Sequence, residues 1–300
     1  MSPRLFTPLA IITLLLAASP CLDASAQQPS TPPALTYLPA APSDEINTLL
    51  MHATFLIYGK QKNHPDKIVT GTIFVMAVQN KDDAEHGVAV LITAAHVLDD
   101  IGDSIATLVV RRKNSDDTYA AYETKIPIRD NDRNLYVKHP SSDVAAMYVE
   151  LPTDVNITGL PLSFLADDKK IEELDLHPGD EVFCLGFPLA TSTFGGFPIL
   201  RKGYLASYPL TPTKLIGKIG IDLPIFGGNS GGPIYFYYTN RVVHGSMQLG
   251  TWQRGVLGLV TQSTNSPFPE YKDERLGFGI MVPAVFIRET IDLLPPPTLH

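Results

Sequence analysis

Short runs of β-branched and aromatic residues, separated by turn clusters, follow one another along most of this chain and limit it to few folds. Such residues fit a pleated, half-buried surface, so each run predicts a strand. The runs are HATFLIYG, IVTGTIFVMAV, VAVLITAAHVL, SIATLVVRRK, YAAYETKIPI, DVAAMYVEL, EVFCLGFP, PILRKGYLAS, KLIGKIGIDL, PIYFYY, GVLGLVTQ and FGIMVP. About a dozen strands at this spacing indicate an all-β sandwich or barrel, or two packed barrels. With 44% apolar and 18% charged residues among 300, the chain can fill such a core.

One segment near the C-terminus has a different period. AVFIRETIDLL at 284–294 repeats its apolar residues with the spacing of one helix face. We expect a single helix there that packs against the β-domain and closes it. PPPTLH at 295–300 then ends the chain as a tail.

The N-terminal segment predicts export. Residues 1–26 carry Arg4, an apolar stretch at 9–18 and the small-residue sequence ASA at 24–26, which is typical of a secretory signal peptide cleaved after Ala26. The apolar stretch is shorter than the roughly 20 residues needed to span a bilayer. Residues 27–44 are rich in Pro, Ser and Ala and predict a disordered leader. We expect a secreted or periplasmic protein without a membrane span.

The two cysteines bear on the same point. Cys21 stands where a lipid-anchored bacterial protein could carry its modified cysteine, but Pro20 before it is a poor fit to such sites. If Cys21 leaves with the signal peptide, the mature chain keeps only Cys184 and has no internal disulfide. Its stability must then come from the hydrophobic core.

The net charge and the absence of known binding motifs limit the classes of partner and cofactor that we expect. The net charge of −8, with no long basic run, argues against nucleic acid or an anionic membrane surface as partner. The chain has no H-E-x-x-H, no C-x-x-C and no phosphate-binding glycine loop, so we predict neither a metal nor a cofactor. The acidic stretches at 81–86 and 99–100 could hold calcium, although acidic loops are usually just solvated. The oligomeric state is left open.

The stretch GNSGGP at 228–233 places Ser230 among glycines and matches the G-x-S-x-G pattern of α/β-hydrolases. Two observations oppose that fold. Pro233 and a β-type run follow the serine where a helix should begin, and only His244 and His300 follow it in the chain. The required order of serine, aspartate and histidine is therefore poorly met.

The upstream sequence suggests another arrangement, because LITAAHVL ends a strand at His96 and SSDVAAMYVEL begins another at Asp143. The order is then His96, Asp143, Ser230. The accompanying pieces are TGTIF at 70–74, TAAH at 93–96, SDVA at 142–145, GFP at 186–188, GYLAS at 203–207, Asp222, GNSGGP and GFGIMVP at 277–283. Over about 50–294 the chain resembles the trypsin-like (chymotrypsin-fold) serine peptidases, most of all the bacterial HtrA/DegP-type peptidase domain.

The resemblance implies an all-β fold of two packed six-stranded antiparallel β-barrels with a C-terminal helix. The domain would occupy 45–294, with its halves split near 150–175, and no PDZ domain would follow. The implied function is an exported serine endopeptidase that hydrolyses polypeptide substrates through an acyl-enzyme intermediate. The alternative is an inactive trypsin-like fold that serves as a protein-binding scaffold.

Each role matches a chemical need. His96 would take the proton of Ser230 as the hydroxyl attacks, and Asp143 would hold the imidazole in the correct tautomer. The resemblance assigns the oxyanion hole to the backbone N–H groups of Gly228 and Ser230. Asp143 is preferred because it leads directly into an apolar strand. Its rivals, all in polar surroundings, are Asp99, Asp100, Asp116, Asp117 and Asp132.

Specificity is indicated by the residues around the serine. Pro224 stands six residues before Ser230, where trypsin-like enzymes that cut after Lys or Arg carry an acidic residue. The resemblance then gives a substrate pocket formed by Pro224, Ile225, Phe226, Leu259 and Val260. An apolar wall favours uncharged side chains, so we expect cleavage after small or medium apolar residues.

Two departures from the family are visible. Asn229 precedes the serine where digestive enzymes have an aspartate that pairs with a newly cut N-terminus. A neutral amide cannot form that ion pair, so we expect no such activation step. The segment at 235–255 is longer than the family usually has there and predicts an extra hairpin, either a specificity device or a stable decoration.

Overall fold

The computed structural model describes residues 35–36, 45–80, 83–131, 133–152, 154–155, 157–265 and 275–296. The predicted signal peptide, the tail beyond 296 and most of the predicted leader lie outside these ranges. Within the leader, Leu35 and Thr36 pair antiparallel with Gly87 and His86. The Pro-rich composition of 27–44 did not indicate this backbone pairing.

The first half of the domain is an antiparallel sheet with one short parallel addition. Its elements, in chain order, are β1 (Leu35–Thr36), α1 (Ile46–Ala53), β2 (Thr54–Gln61), β3 (His64–Asn80), β4 (Asp83–Thr93), α2 (Ala95–Asp100), β5 (Ile105–Lys113), β6 (Tyr119–Pro127), β7 (Arg129–Asp130), β8 (Arg133–Asn134), β9 (Val137–Lys138), β10 (Ala145–Tyr148) and β11 (Leu160–Pro161). The main strand order is β6-β5-β2-β3-β4-β10-β9, with β1 on β4 and β11 on β3. β7 and β8 form a separate pair.

The second half is a closed barrel. Its elements are α3 (Asp168–Glu173), β12 (Glu181–Gly186), β13 (Ile199–Leu205), α4 (Thr213–Ile216), β14 (Ile219–Asp222), β15 (Pro233–Val243), β16 (Ser246–Asn265), β17 (Arg275–Pro283) and α5 (Ala284–Asp292). The barrel closes in the order β12-β13-β14-β17-β16-β15. Single-turn 3₁₀ helices occur at Leu162–Phe164, Pro188–Ala190 and Phe194–Gly196.

These elements confirm the predicted trypsin-like, mostly β fold with its C-terminal helix. The second half is the six-stranded barrel that the resemblance implied. The first half differs in detail, since two-residue strands bring its described sheet to nine strands, and the described pairings do not close it. The longer strands β2–β6 and β10 form the body of that sheet.

Two hydrophobic cores stabilise the domain. The first lies on the sheet and includes Phe55, Phe74 and Ile92, all fully buried. The second fills the barrel, with Val182 and Ile234 among its members. Burial of a large apolar side chain contributes about 1.5–3 kcal/mol, so these cores stabilise the described part of the chain, in which Cys184 is a free cysteine.

The predicted C-terminal helix is confirmed as α5, whose Phe286, Ile287 and Ile291 pack into the first core. The expectation that it is the only helix is wrong. α1 begins after Glu45, whose carboxylate accepts the backbone N–H groups of Asn47 and Thr48. A helix of one or two turns is too short to show a clear apolar period, and capping and packing decide it instead.

The extra hairpin predicted at 235–255 is formed by β15 and β16. Its tip turns at His244 and Gly245, both with positive φ. Near its base the rings of Tyr237 and Trp252 meet edge to face at 5.5 Å. Val242 and Met247 near the tip are exposed.

Candidate active site

Strand register brings His96 and Asp143 together. β4 ends at Thr93 and α2 begins at Ala95, so His96 lies in the first turn of that helix. β10 runs antiparallel to β4, with Ala145 opposite Thr93. Asp143 precedes β10 by two residues and therefore lies beside the residues that follow Thr93.

Two hydrogen bonds join the pair. Nδ1 of His96 lies 2.7 Å from Oδ2 of Asp143, and the backbone N–H of His96 donates to Oδ1 at 3.0 Å. An ionised carboxylate only accepts, so Nδ1 carries the proton and Nε2 of the neutral ring is left as an acceptor. The side chains are 39% and 25% exposed, so the pair is partly sheltered from solvent.

The pKa values of both groups are shifted in ways that this geometry explains. Burial lowers the pKa of His96, but the hydrogen bond to Asp143 and the negative charges of Asp143, Asp100 and Asp99 outweigh it, and the net pKa is raised above 6.5. Burial raises the pKa of Asp143, yet the bonds from His96 and Thr261 bring it down to about 2. Asp143 is therefore ionised at neutral pH.

Ser230 lies in the loop between β14 and β15, held by backbone pairing on both sides. Its carbonyl oxygen accepts the N–H of Thr72 at 2.8 Å, and the next amide, of Gly231, donates to Val260 at 2.7 Å. The Ser230 hydroxyl donates to the carbonyl oxygen of Thr261 at 3.4 Å. Within the described part of the chain, no hydrogen bond joins Ser230 to His96.

Thr261 links the serine to the histidine–aspartate pair. Its hydroxyl donates to Oδ2 of Asp143, and its carbonyl oxygen accepts from Ser230. No motif in the sequence marks this residue. In the sequence, Thr261 stands out only as the first polar residue after the apolar run VLGLV at 256–260.

Glycines let the loop approach its neighbours closely. Gly228 has φ +94°, and a Cβ there would collide with the carbonyl oxygen of Phe187. Gly231 has φ +86°, and a Cβ there would collide with Thr72 and Thr93. Both positions therefore need glycine.

The same loop presents free donors. The carbonyl oxygen of Gly228 accepts the Thr72 hydroxyl at 2.6 Å, which fixes the peptide between Gly228 and Asn229. Among the hydrogen bonds of the described residues, the backbone N–H groups of Gly228 and Ser230 have no acceptor. These are the two groups that the resemblance assigned to the oxyanion hole.

The residues predicted to form the substrate pocket differ in their exposure. Ile225, Leu259 and Val260 are buried in the hydrophobic cores, and their side chains do not line an open cleft. Pro224 is exposed, and Phe226 is half-buried. Val260 and Thr261 run beside the serine loop, since the backbone of Val260 pairs with Gly231 and Gly232 and the carbonyl oxygen of Thr261 accepts from Ser230.

A cation lies next to the two accessible members of this set. Arg201 donates through Nη1 to the carbonyl oxygen of Pro224, and its guanidinium lies 5.3 Å from the ring centre of Phe226. The surroundings of Pro224 are thus positively charged, a property that the apolar sequence DLPIFGG did not indicate.

None of the rival aspartates in the described part of the chain forms a hydrogen bond to His96, although the negative charges of Asp99 and Asp100 act on its pKa. Asp99 accepts from Tyr136 and pairs with Lys138. Asp116 caps its own turn at Thr118, and the neighbouring aspartate pairs with Lys113. Asp132 lies outside the described residues.

Asn229 is buried, at 1% exposed, and its amide oxygen and nitrogen have no hydrogen-bond partner in the described structure. Its own backbone N–H donates to Phe226 at 3.1 Å. The side chain thus occupies an enclosed space behind the serine without an ion pair.

Other kinds of site find little support. Across the described ranges, no group of three or more His, Cys, Asp or Glu side chains is arranged to hold a metal ion. Part of the acidic stretch at 81–86 lies outside those ranges. In the same part of the chain, every helix is too short or too polar to cross a bilayer.

Comparison with known proteins gives the family. Residues 70–243 match the family model of the trypsin-like peptidase domain. This match covers more than half of the chain, so the chain belongs to the trypsin-like peptidases, as the motifs had indicated. No curated protein matches it. Among solved structures, the crystal structure of the active form of the Rv3671c protease from M. tuberculosis is 19% identical, covers 93% of this chain and 96% of its own, and has a TM-score of 0.46.

Proposed function

We propose that this chain is an exported serine endopeptidase that hydrolyses peptide bonds with Ser230 as nucleophile, His96 as general base and Asp143 as its orienting carboxylate. The observation that carries the proposal is the paired His96 and Asp143, joined through Thr261 to a glycine-flanked serine with free backbone donors. Family membership gives the class of reaction.

The first step is attack by Ser230 on the scissile carbonyl carbon. The hydroxyl turns from the carbonyl of Thr261 toward Nε2 of His96, which takes its proton as the new C–O bond forms. Asp143 stabilises the resulting imidazolium, and its low pKa keeps it ionised while it does so. The protonated ring then gives its proton to the leaving amine, and a water molecule hydrolyses the acyl-enzyme in the reverse sense.

The oxyanion of the tetrahedral intermediate binds to the N–H groups of Gly228 and Ser230. Donors that are already oriented stabilise the developing charge without reorganisation, and one such donor is typically worth about 10² to 10³ in rate. Gly228 holds a positive φ where a Cβ would collide with the Phe187 carbonyl oxygen, so this donor position needs glycine.

The test is the intact mass of the purified protein after exposure to a fluorophosphonate. We expect one adduct on the wild type, mapped to Ser230, and none on Ser230→Ala or His96→Ala. The controls separate an activated serine from general surface reactivity. Absence of an adduct on the folded wild type would contradict the proposal and favour the protein-binding scaffold.

We also propose that the substrate side chain before the cut is uncharged and small or medium in size. Pro224 is apolar and offers no acidic group that could pair with Lys or Arg, so it favours an uncharged side chain. A peptide library should therefore give a cleavage profile dominated by residues such as Ala and Val. A profile dominated by Lys or Arg, or by Asp or Glu, contradicts this.

Export and activation are part of the same proposal. The signal sequence at 1–26 predicts a mature chain that begins at Gln27. The neutral, buried Asn229 supports a protease that needs no new N-terminus. The mass of the secreted chain tests the first point. Activity that rises from zero only after the leader is trimmed would contradict the second.

A further inference from the structure

Arg111 is a buried cation that lacks a counter-ion among the described residues. It lies in β5, is 0% exposed, and its guanidinium is held between the rings of Phe55 and Phe197, at 4.2 and 4.4 Å from their centres. Burial lowers its pKa to about 9. A buried charge is costly unless its hydrogen bonds are well satisfied, and an apolar side chain would fill the same space without that cost.

The guanidinium joins two distant segments instead. Nη2 donates to the carbonyl oxygens of Met51 and His52, at 3.0 and 3.2 Å, at the C-terminal end of α1. Nη1 donates to the carbonyl oxygen of Gly196 at 3.0 Å. Cations are favoured at helix C-termini, so α1 supplies part of the compensation.

Gly196 belongs to the connection between β12 and β13, residues 187–198, which we call the 187–198 loop. Side chains at Gly195 and Gly196 would press on Tyr119 and Ala121 of β6. The rings of Tyr119 and Phe197 also meet edge to face at 5.0 Å. This end of the loop is therefore docked on the first half of the domain.

The other end of the loop supports the residues before Ser230. The backbone N–H of Leu189 donates to the carbonyl oxygen of Gly227 at 2.7 Å. Leu189 and Ala190 both have positive φ, at 52° and 59°, a conformation that non-glycine residues rarely adopt unless their surroundings impose it. Leu189 is also 72% exposed, so its own side-chain packing does not impose this turn.

We propose that Arg111 is a positioning residue for residues 226–230, which we call the oxyanion loop. It anchors the 187–198 loop at Gly196, and that loop holds Gly227 through Leu189, so that the N–H of Gly228 keeps its orientation. The catalytic significance of this connection rests on the proposed function; the mechanical connection between Arg111 and the oxyanion loop does not.

The test compares Arg111→Met with Arg112→Met. Arg112 is the next residue of β5, but it is exposed and pairs with Asp154 over the ring of Tyr122. Hydrogen–deuterium exchange is measured on both variants in a Ser230→Ala background, so that the result does not depend on activity. We expect exchange over 187–198 and 226–232 to rise about tenfold or more in Arg111→Met, as expected when local structure opens, while β3 is unchanged.

Kinetics on the active enzyme provide the second readout. We expect kcat/KM and the affinity for a peptidyl boronate to fall together by about tenfold, which is less than the effect of losing one oxyanion donor completely. The affinity for a product peptide should be unchanged. Arg111→Lys keeps the charge but not the fork of donors, so it should lie between wild type and Arg111→Met. It also serves if the methionine variant does not fold.

The outcomes separate the two proposals. Unchanged exchange over 226–232 in both Arg111 variants overturns the connection, whether or not the protein is active. Equal losses of boronate and product-peptide affinity would indicate general damage to the site and also overturn it. A wild type that takes no fluorophosphonate adduct contradicts the peptidase function, and the exchange result then decides the connection alone.

Discussion

The hydroxyl of Thr261 donates a hydrogen bond to Oδ2 of Asp143, the same oxygen that faces Nδ1 of His96. Thr261 comes from β16 in the second half of the domain, and Asp143 comes from the turn before β10 in the first. The bond therefore crosses between the halves at the point where the proposed triad must be assembled. Loss of this hydrogen bond should lower the catalytic rate more than it lowers the stability of the fold.

We predict that Thr261→Val lowers kcat/KM roughly tenfold, because a hydrogen bond to a charged group contributes about 1.5–3 kcal/mol and valine keeps the shape of the side chain. Thr261→Ser retains the hydroxyl and should stay close to wild type. Steady-state kinetics on a good peptide substrate provide the measurement. Equal losses in both variants would show that packing, and not the bond to Asp143, matters.

The pH dependence should follow His96. The pKa of His96 is raised in the folded protein, so the imidazole becomes neutral and able to act as a base only at a pH above 6.5. The acid limb of kcat/KM should therefore have its midpoint above 6.5. The same shift means that charged His96 stabilises the fold at low pH and that this contribution is lost as pH rises through the raised pKa. A pH profile checks the first statement.

Asp143→Asn should lower kcat by about 10⁴ and move the acid limb to lower pH, since His96 loses its partner charge. Asp143 has a depressed pKa of about 2, so its stabilising contribution is present above 3.8 and is lost as pH falls toward 2. Asp117→Asn, which removes an exposed carboxylate paired with Lys113, is the control. A similar loss in both would contradict the assignment.

Gly228→Ala should reduce kcat by about 10² to 10³ with little change in KM, because the Cβ collides with Phe187 and displaces an oxyanion donor. The matched control is Gly227→Ala. That glycine has open space around its Cβ position and needs no positive φ. If both substitutions are tolerated, Gly228 does not form the oxyanion hole.

Stability should depend strongly on Arg241. Its guanidinium makes a bidentate pair with Asp180, at 2.9 and 2.6 Å, with side chains 9% and 10% exposed. Arg241→Met leaves the buried Asp180 carboxylate without its guanidinium partner, with only the His177 backbone N–H and partly exposed ring nearby, and should cost about 3 kcal/mol in the free energy of unfolding. Lys202→Met removes the exposed pair with Glu181 and should change it little. Denaturant titrations of the two variants measure both changes in the free energy of unfolding, and similar changes would contradict the prediction.

Cys184 should be inert in the folded protein. The thiol is buried and its pKa is raised to about 12 by burial, so almost no thiolate forms at pH 8. Iodoacetamide should modify Cys184 only after denaturation, as judged by peptide mass mapping. Rapid modification of the native protein would show that the barrel interior opens.

Much of the fold was predictable because it depends on local pattern. Alternating or continuous apolar runs indicate which backbone segments are extended, and the helical period of 284–294 marked α5 correctly. The short helices α1 and α2 were missed, because a capping carboxylate at Glu45 and the packing around Ala95 decide them over too few residues for a period to show.

The candidate site was predictable to the extent that its residues sit in ordered motifs. His96, Asp143 and the glycines around Ser230 carry their chemistry in residue type and chain order, and the structure brings the first two into contact. Three residues predicted to form the pocket, Ile225, Leu259 and Val260, are buried in the cores, because an apolar residue near a nucleophile serves equally well in a core. Burial, not residue type, decides between them.

By itself, the sequence determined that this chain is built of short strands, that one helix closes it, and that a histidine, an aspartate and a glycine-flanked serine follow one another in a family-specific order. Only the tertiary structure decided that Thr261 bonds Asp143, that Arg111 reaches Gly196, and that the first sheet takes in two-residue strands. The reason is physical. Local pattern reports the conformation of a segment, whereas its partners depend on the register between strands that lie far apart in the chain.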